Sequence, residues 1–240
     1  MKYKKTIDLY GDGIGKVQYI QHTGSDKMIV NAARVSFGQD NNSPISNKDE
    51  KLINYLIEHR HTSPFEHNQV TLKFVVPLFV RSQHHRHRVW AYNEISRRYT
   101  DTNIQFYEPT QFRTQHKSNR QASSQEGLSN PLIAFGTDDW GWSGKASDLV
   151  KKHHKSSVEL YEALLRSGVC REQARGCLPQ NLYTEYYGSA NLSNLFKFIN
   201  LRTHSGAQQE IQVVAQACLE IATDLFPVST TAWKNHNQRA

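Results

Sequence analysis

The chain has 240 residues, 38% of them apolar, with a formal charge of +7 and twelve histidines besides. That is enough apolar material for one sizeable core, which excludes a disordered chain, and no run approaches the roughly 20 apolar residues of a membrane helix. The opening stretch MKYKKTIDLYGDG has lysines but no apolar run behind them, so a secretion signal is not expected and the cytoplasm is the expected location.

In chain order, the first feature is GDGIG (11–15). Its glycines do not match GxGxxG, and a strand, GKVQYIQ (15–21), follows rather than a helix, so the segment reads as a hairpin turn and not as a dinucleotide loop. Ser46-Asn47-Lys48-Asp49 has the form of a capping box. It opens a helix with Leu52, Ile53, Leu56 and Ile57 on one face, ending near His59. A loop, residues 61–67, leads to a strand in which Val70, Leu72, Phe74 and Val76 alternate with other residues. Pro77 fits the first turn of a helix running through PLFVRSQHHRHRVW (77–90). Residues 113–146 are rich in Ser, Gln, Asn, Thr and Gly without apolar period, and read as a long surface loop within an insertion of about 113–150.

Helical signals dominate afterwards. Ser147 is placed to cap a helix that Gly168 stops, and a short helix from Arg171 ends before Pro179. Helices are expected over Asn191–Thr203 and Ala207–Leu225, the latter with Ile211, Val214, Cys218, Ile221 and Leu225 on one stripe and Pro227 beyond it. Strands come mostly first and helices later. This predicts a single α+β domain over 1–240, with a central antiparallel or mixed sheet flanked by helices and a helical C-terminal half.

The cysteines, 170, 177 and 218, are odd in number and lack CxxC spacing. They read as core-filling thiols rather than as a disulfide framework, a zinc site or a nucleophile. The basic charge suits an anionic partner, either nucleic acid or a phosphorylated small molecule, and arrangement must choose between them. His84 and His87 have the i,i+3 spacing of metal ligands, yet adjacent arginines would repel a cation, and no metal is expected. The segment RHRVWAYNEISRRY (86–99) is more informative. A solvated basic face would not need Trp90, Tyr92 and Tyr99, nor a Glu94 among four arginines. Arginines for phosphate, a carboxylate for sugar hydroxyls or for ordering an arginine, and a serine as neutral donor suit a bound nucleotide.

Arg86-His87-Arg88, seven residues, then Ser96 resembles the RHR-x7-S signature of flavin-dependent thymidylate synthases. The blocks AARVSF (32–37), HRHTSPFEH (59–67), PLFVRSQ (77–83), REQARGCLPQNLYT (171–184) and FINLRTHSGAQQEIQ (198–212) are similar to blocks of that family, in the same order. The resemblance implies reductive methylation of dUMP to dTMP, with FAD as cofactor and NADPH and 5,10-methylenetetrahydrofolate as co-substrates. It also implies a homotetramer with active sites at subunit interfaces, and neither a membrane nor nucleic acid as partner. For FAD it implies His61, Ser63, Glu66, Arg86, His87 and Arg88, together with Glu94, Asn191 and Lys197. For dUMP it implies Gln83, His84, His85, Arg86, Glu94 and Ile95, then Ser96, Arg97, Arg98, Arg175 and Arg202, with Ile95 and Arg97 acting through the backbone. Arg202 takes the catalytic role, stabilising charge on the uracil, and no cysteine is required. The chain departs from the family at His84 and His85, where apolar or aromatic residues are common, and at Ser193, Lys197 and Gly206, where Arg, Asn and His are often found.

Overall fold

The computed structural model describes residues 3–39, 43–119, 122–136 and 141–237. Parts of the expected insertion, residues 120–121 and 137–140, lie outside the described residues. The chain begins with a hairpin. Strand β1 (Thr6–Asp8) pairs antiparallel with β2 (Lys16–Thr23), Asp8 opposite Lys16. The glycine-rich segment is the turn between them: the Asp8 carboxylate accepts from the N–H groups of Tyr10, Gly11 and Gly13, while Gly11 and Gly13 adopt positive φ. Helix α1 (Asp26–Arg34) follows, capped by Ser25. The sequence reading did not anticipate it.

Helix α2 (Asn47–Glu58) opens on the expected capping box, with both reciprocal bonds between Ser46 and Asp49 formed. It closes in an unusual way. His61 N–H donates to Leu56 O and Arg60 N–H to Ile57 O, the bond pattern of a Schellman stop. The left-handed position is occupied by Arg60, at φ 56°, where glycine is usual. A side chain there costs roughly 1–2 kcal/mol.

A 3-10 turn (Ser63–His67) leads into strand β3 (Gln69–Pro77). Pro77 ends this strand and helix α3 (Leu78–His84) begins beside it. The helix is half the expected length. Residues 85–90 form turns and β4 (Ala91–Glu94) follows. The Tyr92 hydroxyl explains the break, because it donates to His84 O and His87 O, carbonyls that a longer helix would use internally.

The region expected as loop instead holds two hairpins: β5 (Phe112–Gln115) with β6 (Ser123–Ser129), and β7 (Leu132–Phe135) with β8 (Trp142–Lys145). Helix α4 (Ala146–Arg166) starts at Ala146 with Lys145 as N-cap, so Ser147 is not the cap; its N–H donates to Asn130 Oδ1. Gly168, at φ 84°, stops α4 as expected. Helix α5 (Arg171–Ala174) and a 3-10 turn (Arg175–Cys177) precede strand β9 (Tyr183–Asn191). The sequence reading missed β9, so the helical C-terminal part begins only at Leu192. It comprises α6 (Leu192–Thr203), α7 (Gln209–Leu225) and α8 (Pro227–Asn237). Pro227 serves as the first residue of α8 rather than as a terminator.

The main sheet has the order β1-β2-β3-β9-β4, and β1, β2 and β3 pair antiparallel. With its helices the fold is α+β, as expected. No helix among the described residues is long and apolar enough to cross a membrane. The chain divides into two compact units. The first comprises Met1–Val75, Gln83–Asn93 and Tyr186–Ala240, and buries Ile29, Ile53, Phe74, Leu192, Phe198 and Ile211. The second comprises Val76–Ser82 and Glu94–Glu185, with Tyr161, Ala174, Leu178 and Leu182 at its centre.

Candidate functional site

In the first unit, the turn after α3 meets the end of α6. Arg202, in the last turn of α6, donates from Nε to His87 Nε2 at 3.1 Å and from Nη2 to the Gln83 carbonyl at 3.0 Å. Its Nη1 makes no hydrogen bond among the described residues. An imidazole nitrogen that accepts from a guanidinium must be unprotonated, so the His87 proton sits on Nδ1. Burial and the Arg202 charge push the His87 pKa down to about 4. Gln83 is held in turn: its Nε2 donates to Gln208 Oε1 at 2.6 Å, and Gln208 Nε2 donates to the Glu210 carboxylate at 2.9 Å.

Behind this cluster His84 is completely buried. Its Nδ1 lies 2.8 Å from the Tyr186 hydroxyl, and its ring is packed between Phe74, Trp90 and Phe198. It is an aromatic-core residue, and burial lowers its pKa well below the ordinary histidine value. This sealed ring is not available to a metal together with His87, and among the described residues no group of three or more His, Cys, Asp or Glu converges on one point. His85 stacks on Tyr92 at 4.1 Å. Arg86 and Arg88 project from the turn, both exposed.

The same unit contains a cavity of about 360 Å³. Leu56, Phe65, Phe196 and Trp233 supply apolar surface, and the Phe196 and Trp233 rings are stacked at 5.2 Å. Arg60, His61 and Lys197 supply cationic or imidazole groups, with Glu58 and His236 also on the wall. Of the residues expected at a flavin, His61 and Lys197 line this cavity. Ser63 and Glu66 lie on the adjacent 3-10 turn, where the Thr62 hydroxyl donates to Glu66. Asn191 caps α6, its Oδ1 accepting from Asn194 N–H.

In the second unit, Glu94 Oε1 accepts from Arg81 Nε at 2.9 Å and from the Thr184 hydroxyl at 2.6 Å. Ile95 N–H donates to Glu185 O. The Ser96 hydroxyl accepts from Arg98 N–H at 3.3 Å. The Arg97 guanidinium is spent internally on the carbonyls of Thr102 and Asn103, which leaves its backbone for any ligand. Arg98 and Arg175 both reach Glu172, Arg98 through the carboxylate at 3.6 Å and Arg175 through the backbone carbonyl at 3.3 Å. Two exposed guanidinium groups and a serine hydroxyl on neighbouring backbone form an anion-binding set.

Residues 18–228 match the family model described as thymidylate synthase complementing protein. The chain is 42% identical over 224 residues to a flavin-dependent thymidylate synthase of Thermus thermophilus, covering 92% of this chain and 76% of that one. The chain belongs to the flavin-dependent thymidylate synthases. Another member, from Thermosipho africanus, is 39% identical over 213 residues, 89% of this chain and 88% of that one. The fold is similar to that of a crystallised UMP/dUMP methylase, PolB from Streptomyces cacaoi, bound with 5-Br dUMP. The TM-score is 0.79 and the identity 31%, covering 97% of this chain and 99% of that one.

As an enzyme of this family, the synthase presents residues that the sequence reading passed over. Arg81 fixes Glu94, and Gln208 fixes Gln83. Both lie inside quoted blocks, PLFVRSQ and FINLRTHSGAQQEIQ, but each partner is remote in sequence. Arg60 carried a local signal, a non-glycine residue just past a helix end where glycine is favoured, yet only the backbone angle makes it visible.

Proposed function

We propose that the chain acts as one enzyme domain that converts dUMP to dTMP in the cytoplasm. 5,10-methylenetetrahydrofolate is the carbon donor, FAD the hydride carrier and NADPH the reductant, in a homotetramer whose active sites lie at subunit interfaces. The observation that carries this reading is Arg202. Its guanidinium is aimed by His87 and the Gln83 carbonyl, with Nη1 left over for a ligand.

C5 of uracil is a poor nucleophile, so the ring must be polarised before it can attack carbon. A preorganised guanidinium beside N3 and its carbonyl stabilises the negative charge that develops there, and does so more strongly where water is displaced. His87, held neutral, orients Arg202 without competing for that charge. Ser96, Arg98 and Arg175 supply the donors suited to the nucleotide phosphate, with the exposed Arg86 as a further cation. Glu94, pinned by Arg81 and Thr184, is placed to accept from a sugar hydroxyl. The backbones of Ile95 and Arg97 and the Gln83 side chain complete the expected nucleotide contacts, flanked by His84 and His85.

The cavity supports FAD as cofactor, because a flat aromatic pair beside basic groups fits a ligand with a heterocycle and a diphosphate. Bound FAD would supply the hydride. His61 and Lys197 on the cavity wall, with Ser63, Glu66, Arg86, His87, Arg88, Glu94 and Asn191, are the residues proposed to hold it.

The test is dUMP-dependent NADPH oxidation with FAD and methylenetetrahydrofolate, with dTMP identified as product, run in parallel with UMP because the PolB relative is described as a UMP/dUMP methylase. Turnover with dUMP is expected. A flavin-loaded protein that makes no dTMP would refute the proposal, and a clear preference for UMP would replace its substrate.

A further inference from the structure

Arg60 occupies a left-handed backbone position that a glycine would fill without strain. Strained side chains persist where the side chain itself is needed, and here it lines the cavity beside Lys197. The opposite wall is formed by Trp233 and His236 of α8, a helix that lies almost wholly beyond the span matched by the family model, residues 18–228. Trp233 stacks on Phe196, an interplanar angle of 13° making a flat platform. Glu58 adds a carboxylate that can accept from hydroxyls. At about 360 Å³ the cavity is near the small end of ligand pockets, roughly 300–1,000 Å³, so it takes part of a dinucleotide rather than all of it. Neither His87 nor Arg202 lines it, so the reacting ring is not the part it takes.

We infer that this cavity holds the adenosine diphosphate half of FAD, with Arg60 and Lys197 on the diphosphate and Trp233 under the adenine. The inference rests on the flavin reading above and adds two residues, Arg60 and Trp233, that the family signature does not include. An aromatic platform accepts any base through its π-face, and a guanidinium recognises a phosphate by paired N–H donors.

The experiment measures FAD, FMN and ADP affinity on the purified full chain by flavin fluorescence and by ADP competition, for wild type, Arg60→Gly, Trp233→Leu and Trp233→Phe. Arg60→Gly relieves strain, so its melting temperature should rise while its FAD and ADP affinities fall about ten-fold. Trp233→Leu should lose a similar factor, the order of one base–aromatic stack, and Trp233→Phe should recover most of it. FMN, which lacks the adenylate half, should bind every variant within about two-fold of wild type. Unchanged FAD and ADP affinity in both Arg60→Gly and Trp233→Leu, or an equal loss for FMN, would overturn the assignment. A wild-type chain that binds ADP but no flavin would sink the functional reading and leave the adenylate cavity standing, whereas one that binds neither overturns both.

Discussion

The chemistry proposed here turns on how one guanidinium is aimed. Arg202 receives its orientation from a histidine and a carbonyl on the far side of the sequence. Replacing it by alanine should abolish dTMP formation while leaving FAD affinity near wild type, and near-normal turnover would contradict its role. His87 contributes a pH dependence of definite sign. Its folded-state pKa, about 4, lies below the ordinary 6.5, so the unfolded chain takes up the proton first. The stabilisation from neutral His87 is therefore intact above about pH 6.5 and drains away as the pH falls toward 4. The buried, neutral His84 acts in the same direction. In denaturant titrations His87→Asn should be less stable than wild type at pH 7.5, with the gap narrowing at pH 5; a constant gap would show that His87 is not held neutral. The residue types of this site could be read from the RHR–Ser96 segment alone. The partnerships could not, because His87 with Arg202, Arg81 with Glu94 and Gln83 with Gln208 are joined only by the fold.

Among the elements, those with strong local rules were legible. The Ser46–Asp49 box defines the start of α2, and Ser46→Ala should lower stability by about 1 kcal/mol, measured by the shift of the unfolding midpoint. The turn before α1 is also constrained: a Cβ on Gly24, at φ 85°, would lie 1.7 Å from Asn68 Oδ1. That oxygen also accepts from Ser25 N–H, so Gly24→Ala should destabilise the fold more than Ser46→Ala does, and a smaller effect would mean that Asn68 can swing away. Elements without an apolar period escaped the sequence reading. β7 carries Leu132 at 79% and Phe135 at 49% exposure, so no buried face imposes alternation. β9 is interrupted by Gly188, where a Cβ would sit 2.9 Å from the Phe74 ring; the glycine suggested a loop but serves close packing. α3 had no proline or glycine to announce its end, which the Tyr92 hydroxyl supplies from outside the helix.

At the scale of the molecule, the proposed reaction uses positioned cations and no thiol. Cys170 is exposed, Cys177 half-buried and Cys218 buried, all free, and burial pushes the Cys218 thiol pKa far up, away from a nucleophilic thiolate. Changing all three to alanine should leave methylation measurable in any variant that folds; a well-folded variant without turnover would defeat the thiol-free mechanism. The order in which the chain threads its sheet has a further effect, on biogenesis. β3 sits between β2 and β9, and β9 leaves the ribosome only after the whole of residues 78–182. Until then one edge of β3, with its alternating Val70, Leu72, Phe74 and Val76, faces solvent unpaired. Such an edge invites strand addition from other chains, so nascent or prematurely terminated copies ending before residue 183 should be the aggregating species and the clients of chaperones.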